Sequence, residues 1–362
     1  MKSSITIIIP THERHKLLHR AIDYYSQLNI LVLIVDSSET FFKKELPEKI
    51  NYIHLPGWGM GDKINVAIRK VKTPFSCLCA DDDFLAENAL KAGQKFLEEN
   101  LDYVSVQGHC VQFDPINPLA QYNPIYTNNI GYRNDSNSIN DRVLDVPRCP
   151  HIYALHRSNI HKKSMSVLLN IPALTMVELI PCMIAMCYGK HAVLPIFWMA
   201  RDVRRYSQYC TEDGNAYSYN NPSDPFEIIE LNKVVVDVGE YVFNSSEGLK
   251  CRENFIKVVS DVIPDYSKAE ELFNLSIKNY ISIFNTKRNS SPKNNFLKII
   301  KSFLKIIKSF LPFSFVAKLH LIRRSKLRHA QKGVSGYPWS DDISKKDWSS
   351  MAKVILKFKD IL

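Results

Sequence analysis

Acidic residues are missing from one long stretch of this chain. Between Ser291 and Ser340 there are eight Lys, three Arg and no Asp or Glu. That window carries +11 against a net charge of +10, so the rest of the chain sums to −1. The basic character belongs to one segment, which argues against nucleic-acid binding by the main body. Long apolar runs are also absent. Val177 to Ala200 comes nearest to membrane-spanning length, but Glu178, Lys190 and His191 interrupt it. The N-terminal apolar run, Ile5 to Pro10, is too short for a secretory signal. A cytoplasmic protein with reduced thiols is therefore expected. The eight cysteines lack paired zinc-type spacing. Cys77 and Cys79, two apart in an expected strand, read as small core residues facing one side. Glycine is scarce, 12 in 362 residues, and forms neither the dinucleotide fingerprint nor a P-loop.

With 45% hydrophobic residues, the chain can bury a sizeable core, as one large domain with additions or as two domains. Its organising stretch is Leu78-Cys79-Ala80-Asp81-Asp82-Asp83-Phe84. Phe75 to Ala80 is short and apolar, as a buried strand would be, and three carboxylates follow at once. Carboxylates packed this closely repel and resist burial. A divalent cation among them relieves that, and hard oxygen ligation suits Mg²⁺ or Mn²⁺ bridging to phosphate. The alternative is a solvated acidic turn capping the helix expected over Ala86 to Glu99.

Upstream, Ser4 to Pro10 reads as a buried strand, Lys16 to Leu28 as a helix and Ile30 to Val35 as a second strand. Two wholly apolar strands flanking a helix imply a parallel pair covered on both faces. Ligands in such sheets bind beyond the carboxyl ends of the strands. Thr11, Glu13, Arg14, Asp36 and the acidic triplet all fall there. Each alone also suits a cap or turn; their shared location is the informative feature. Tyr52 to Leu55 is a candidate third strand. Gly57, Gly59 and Gly61 then precede a helix expected over Lys63 to Lys70, with Asp62 as its cap and Lys63 in its first turn. There Lys63 would oppose the helix dipole unless an anion is bound, which makes it a candidate diphosphate contact. Further strands are expected at Val104 to Phe113, near Arg148 to Arg157, and at Ala192 to Ala200. His156 is either a substrate contact or an edge-strand histidine. Glu178 is the one charge in the apolar helix Ala173 to Tyr188. It reads as an exposed first-turn residue, a buried carboxylate or a general base. Arg201 and Arg204 suit either phosphate or acceptor contacts or surface ion pairs.

The order Ile7-Ile8-Ile9-Pro10-Thr11, Asp36-Ser37-Ser38, Lys63 and Ala80-Asp81-Asp82-Asp83 resembles the GT-A glycosyltransferases, family 2 type. It is nearer still to a bacterial branch with a Pro-Thr-x-x-Arg turn, here Pro10 to Arg14, and an Asp-Asp-Asp-Phe motif, here Asp81 to Phe84. The resemblance covers about residues 4 to 205 and implies a three-layer α/β/α domain with a mainly parallel mixed sheet. It implies a nucleotide-sugar donor, a UDP-sugar foremost, with Thr11 and Asp36 near base and ribose and Lys63 at the diphosphate. Glu13, Arg14 and Asp82 join that donor site. Asp81 and Asp83 match the Asp-x-Asp acids, with Asp83, and Asp81 beside it, at a Mn²⁺ or Mg²⁺ ion. Glu178 takes the place of the catalytic base in an inverting transfer to a glycan or lipid-linked acceptor in cell-surface polysaccharide synthesis. Two departures stand out: Asp36 is followed by Ser37 where paired acids are usual, and Glu178-Leu179 replaces a Glu-Asp pair. Other classes are a sugar nucleotidyltransferase, whose Gly-rich signature is missing near the first strand, and a non-catalytic nucleotide-sugar or membrane-surface binding protein.

After residue 205 the expectation is an accessory, mainly helical region over 206–284, a linker over 285–295, a basic segment over 296–330 and a tail helix within 331–362. Phe296-Leu297-Lys298-Ile299-Ile300-Lys301-Ser302 recurs unchanged as Phe303 to Ser309, and Phe310-Leu311 begins a third copy. On a helix, Phe296, Ile299, Phe303, Ile306 and Phe310 share one half-circle, and Lys298, Lys301, Lys305 and Lys308 the other. An apolar face opposite a lysine face describes a helix lying in an anionic membrane surface, here the inner face of the cell membrane. The alternative is packing on protein, including a second subunit of an oligomer. The last helix, with Trp348, Met351, Ile355 and Phe358 on one side, is expected to dock on protein.

Overall fold

The structure is a computed structural model. It describes residues 3–113, 121–122, 133–148, 151–169, 171, 174–202, 243, 245–289 and 342–358. Arg204, residues 290–295 and the whole basic segment from Phe296 to Phe310 lie outside the described residues, as does the first part of the accessory region, whereas residues 285–289 of the expected linker continue the helix Tyr266–Asn289.

Strand β1 (Ile5–Thr11) leads into α1 (His15–Tyr25), then β2 (Leu31–Asp36) and β3 (Ile50–His54). Helix α2 (Met60–Lys70) precedes β4 (Phe75–Leu78), β5 (Phe84–Leu85) and α3 (Glu87–Glu99). Next come β6 (Tyr103–Phe113), β7 (Gln121–Tyr122), β8 (Arg133–Asn134), α4 (Ile139–Asp145), β9 (Leu155–Arg157) and α5 (Ser158–Met165). Helix α6 (Leu174–Tyr188) runs into β10 (Lys190–Asp202), followed by α7 (Ser246–Val259), α8 (Tyr266–Asn289) and α9 (Asp342–Lys357).

The main sheet runs β3-β2-β1-β4-β9-β6-β10-β5. Its first four strands are parallel, as the apolar β1 and β2 require, while β9 runs antiparallel to both β4 and β6. The sheet is therefore mixed, with helices on both faces. Ile5, Ile7 and Ile9 point into a core shared with α1, α3 and α9, whereas Ile8, Leu33 and Val35 point into one shared with α2, α6, α7 and α8. This period-2 alternation gives the expected three layers. Cys77 and Cys79 both fall in the first core and Leu78 in the second. Along α9, Trp348, Met351, Ile355 and Phe358 are all buried against the first core, so the tail helix docks as expected.

Three local readings need correction. Helix α2 begins at Met60 with Gly59 as its N-cap residue, so Asp62 lies inside the first turn and is not the cap residue. Gly61 serves protein packing: a Cβ there would collide with the Leu168 carbonyl, so the glycine lets α2 approach the 3₁₀ turn Ser166–Leu168. His156 is not on an edge, because β9 sits between β4 and β6 in mid-sheet.

Candidate active site

The sheet brings the carboxyl end of β1, the turn after β4 and the end of β10 to one cavity. Its lining includes Pro10, Arg14, Asp81, Asp82, Asp83, Tyr153, Glu178, Arg201 and Asp202. The acidic turn is fixed by short-range pairing on both sides. Asp83 N–H donates to Ala80 O at 3.2 Å. Phe84 and Leu85 then pair with Ala200 and Met199 of β10, which carries Arg201 and Asp202 alongside the triplet. Tyr24 and Tyr25 of α1 clamp the far end: Tyr24 Oη donates to Leu85 O at 2.9 Å and Leu85 N–H donates to Tyr25 Oη at 3.0 Å.

The triplet is not a solvated turn. Asp81, Asp82 and Asp83 are 2%, 4% and 2% exposed. Asp81 Oδ2 accepts from Thr11 Oγ1 at 2.6 Å, and its Oδ1 lies 3.0 Å from Arg14 Nη1. Arg14 Nη2 reaches Asp82 Oδ2 at 2.5 Å. Asp83 Oδ1 accepts from Asp202 N–H at 2.9 Å, and its Oδ2 is 4.0 Å from Arg201 Nε. From beneath, the fully buried Arg20 donates to Asp82 O at 2.7 Å and to Asp202 Oδ2 at 3.1 Å. Its guanidinium lies over the rings of Phe84 and Phe113.

Five carboxyl groups thus meet three guanidinium groups: Asp81, Asp82, Asp83, Asp202 and Glu178 against Arg14, Arg201 and Arg20. Fully ionised, the cluster is two positive charges short. Burial raises the Asp81 carboxyl to about 6 despite Arg14, and pushes Asp83 well above the usual range with Asp82 adding to it. Burial also raises Glu178, with Arg201 opposing. Burial works against the charge on Arg14, and Asp81 and Asp82 more than offset it, so the guanidinium stays charged. A deficit of two among hard oxygen donors fits one Mg²⁺ or Mn²⁺, which takes one or two carboxylates plus phosphate oxygens. Among the described residues, no three His, Cys, Asp or Glu side chains already converge as a complete metal cage.

Glu178 lines the cavity from α6, beyond that helix's first turn, which removes the reading as an exposed first-turn residue. Other sequence candidates lie behind the lining. Lys63 is fully buried and donates to Thr11 O at 2.5 Å and Ser37 Oγ at 2.9 Å, so it braces the loops below the cavity and does not face a diphosphate. Burial lowers its pKa to about 7, against the pull of Asp81 and Asp36. Asp36 is likewise enclosed. It accepts from Ser38 N–H and Oγ at 2.8 and 2.5 Å, Tyr52 Oη at 2.6 Å and His15 Nε2 at 2.8 Å. Burial pushes this carboxyl up, but those hydrogen bonds prevail and hold it below its ordinary value. Glu13 has φ 49°, a left-handed residue in the turn between β1 and α1, and its carboxylate accepts from Glu39 N–H at 2.6 Å. His156 is buried away from the cavity lining, stacked on His161 at 4.6 Å.

Sequence reasoning missed Arg20 and Asp202. Arg20 had a signal: it stands three residues after Leu17 and four before Tyr24, on the apolar stripe of α1, where a cation requires buried partners. Asp202 adjoins Arg201 but is marked out only by the pairing of β10 with β5.

Residues 6–157 match the family model described as glycosyl transferase family 2. Among solved structures, S. aureus TarS 1–349 in complex with UDP-GlcNAc aligns at 15% identity and a TM-score of 0.45, covering 80% of this chain and 92% of that chain. S. aureus TarS aligns at 14% identity and a TM-score of 0.41, covering 78% of this chain and 54% of that chain. This chain therefore spans about half of that longer one. No curated protein matches the chain.

Proposed function

We propose that the chain is a glycosyltransferase of the GT-A, family 2 type, a reading supported by the match of residues 6–157 to the glycosyl transferase family 2 model, and that its cavity carries out a metal-assisted inverting transfer. The donor is a nucleotide sugar, a UDP-sugar first, and the acceptor a hydroxyl of a glycan or lipid-linked saccharide in cell-surface polysaccharide synthesis. The observation that carries this reading is the placement of Glu178 in the same cavity as the acidic triplet and two arginines.

Asp83 and Asp81 would hold a Mn²⁺ or Mg²⁺ ion, which when bound offsets the charge growing on the departing diphosphate. Arg14 and Arg201 line the cavity and take over the diphosphate role that the sequence assigned to Lys63. Glu178 accepts the proton of the acceptor hydroxyl as that oxygen attacks the anomeric carbon. The bond from that carbon to the diphosphate oxygen breaks on the opposite side, and the nucleoside diphosphate leaves with the electron pair. The raised Glu178 pKa strengthens it as a base.

Attachment to the inner face of an anionic membrane rests on the Phe/Ile/Leu and Lys pattern of residues 296–310. Among the described residues, no helix is long and apolar enough to cross a membrane.

The test is thermal stability of the full chain with UDP, GDP or CDP, each with and without Mn²⁺, beside sugar transfer by Glu178→Gln. One diphosphate should stabilise the protein with Mn²⁺, by about 2.7 kcal/mol at a hundredfold excess over Kd. Glu178→Gln should keep that stabilisation and lose 10²–10⁴-fold in kcat, roughly the range for a general base. No stabilisation by any diphosphate overturns the donor site; full turnover in Glu178→Gln overturns the base.

A further inference from the structure

We infer that Arg14 is the resident counter-cation of the acidic triplet, holding the carboxylates a divalent ion needs, so that metal enters only as the donor diphosphate draws the guanidinium away. This rests on the metal-assisted reading above and adds to it an order and an antagonism.

One guanidinium spans two neighbouring carboxylates: Nη1 to Asp81 Oδ1 at 3.0 Å and Nη2 to Asp82 Oδ2 at 2.5 Å. Thr11 holds the other Asp81 oxygen at 2.6 Å. Both oxygens of the first Asp-x-Asp acid are thus engaged within the protein. Arg201 stands off Asp83 at 4.0 Å, so the tight cationic contact falls on Asp81 and Asp82. A metal ion and a guanidinium cannot share these oxygens without placing like charges a few ångströms apart in a low-dielectric site. Arg14 must therefore move before Asp81 can ligate.

The arginine is placed to do so. Its side chain is 12% exposed and lines the cavity, unlike Arg20, which is sealed beneath the triplet. Its buried Nε makes no hydrogen bond among the described residues, so one of its five donors is unspent. A diphosphate offers paired oxygens to the same fork geometry that now grips two carboxylates. It compensates the guanidinium as it leaves Asp81 and Asp82 and supplies further oxygens to the metal. By linkage, the diphosphate then raises metal affinity by the same factor that metal raises diphosphate affinity.

The experiment is Mn²⁺ binding to the folded full-length chain, read by the EPR signal of free Mn²⁺, alone and with UDP, GDP or CDP. Wild type should bind Mn²⁺ weakly alone and at least tenfold tighter with one diphosphate. Arg14→Gln should bind Mn²⁺ alone at least tenfold tighter than wild type and lose most of the gain from the diphosphate. Arg14→Lys, which keeps the charge but cannot fork across two carboxylates, should fall between them, and it carries the test if Arg14→Gln does not fold. If wild type takes up Mn²⁺ with a diphosphate while neither variant binds Mn²⁺ alone more tightly, the antagonism is wrong and the metal site stands. If no diphosphate brings Mn²⁺ to wild type or variant, the metal reading fails and this inference with it.

Discussion

Glu178 and Arg20 show how burial gives a single charged side chain its role. Glu178 must be ionised to accept a proton, and burial raises its pKa above the usual glutamate value. Activity should therefore fall as pH drops through that raised pKa, and kcat/KM plotted against pH should show an acidic limb displaced above the ordinary glutamate range. The residual activity of Glu178→Gln should lack this limb. Arg20 is buried with Asp82 O and Asp202 as partners. Removing one member of a buried, hydrogen-bonded charge cluster typically costs about 3–5 kcal/mol, so Arg20→Met should lower the urea midpoint by a corresponding amount. Glu178 was legible as the lone charge in an apolar run. Lys63 was read as a phosphate contact because helix position shows where a lysine starts, not whether its ammonium turns to the cavity or to the Thr11 carbonyl.

At the scale of elements, β9, α5, β10 and the turn that precedes β9 bring four buried histidines together. His151 stacks on His191 at 4.5 Å, His156 on His161 at 4.6 Å, and His151 and His156 lie 5.9 Å apart. Burial lowers His156 and His191 well below the ordinary value, with neighbouring histidines adding to it, and lowers His161 to about 3. These rings stay neutral in the fold and take protons once unfolded. The unfolded chain then binds more protons below pH 6.5, so their contribution makes stability fall as pH falls. Each such histidine adds about 1.4 kcal/mol per pH unit to that slope. His161→Gln should flatten stability against pH by about 1 kcal/mol per unit between pH 6 and 4, measured by urea unfolding at each pH. An unchanged slope would mean that His161 titrates in the fold. The sequence places these histidines 5, 5 and 30 residues apart. Only an antiparallel β9 beside β6, with β10 on the far side of β6, puts them together.

For the whole molecule, charge is divided between a nearly neutral body and a basic segment of +11. If that segment holds the protein on an anionic surface, cosedimentation with vesicles containing phosphatidylserine should be strong at 0.1 M salt. It should be largely lost at 1 M, where the screening length falls from about 10 to 3 Å. Deleting residues 296–311 should abolish it, and equal binding to neutral vesicles would sink the electrostatic reading. Helix α9, beyond this segment, packs against the sheet core through Trp348, Met351 and Phe358, and its Lys357 reaches Asp23 of α1 at 2.7 Å. The basic segment thus lies between α8 and α9, both of which dock on the described fold.

The sequence alone determined the alternation of strand and helix and the burial of both sheet faces. It also determined the docking face of α9 and the position of three carboxylates at a strand's end. Each is a local pattern, a period of two, a period of 3.6, or a run of like charge following an apolar run. Tertiary structure decided which charges meet. The β5–β10 pairing sets Asp202 and Arg201 beside the triplet, α1 slides Arg20 beneath it, and the turn after β1 lays Arg14 across Asp81 and Asp82. Electrostatic energy depends on separation and dielectric, which are properties of the fold, so the chain order of these residues could not fix it.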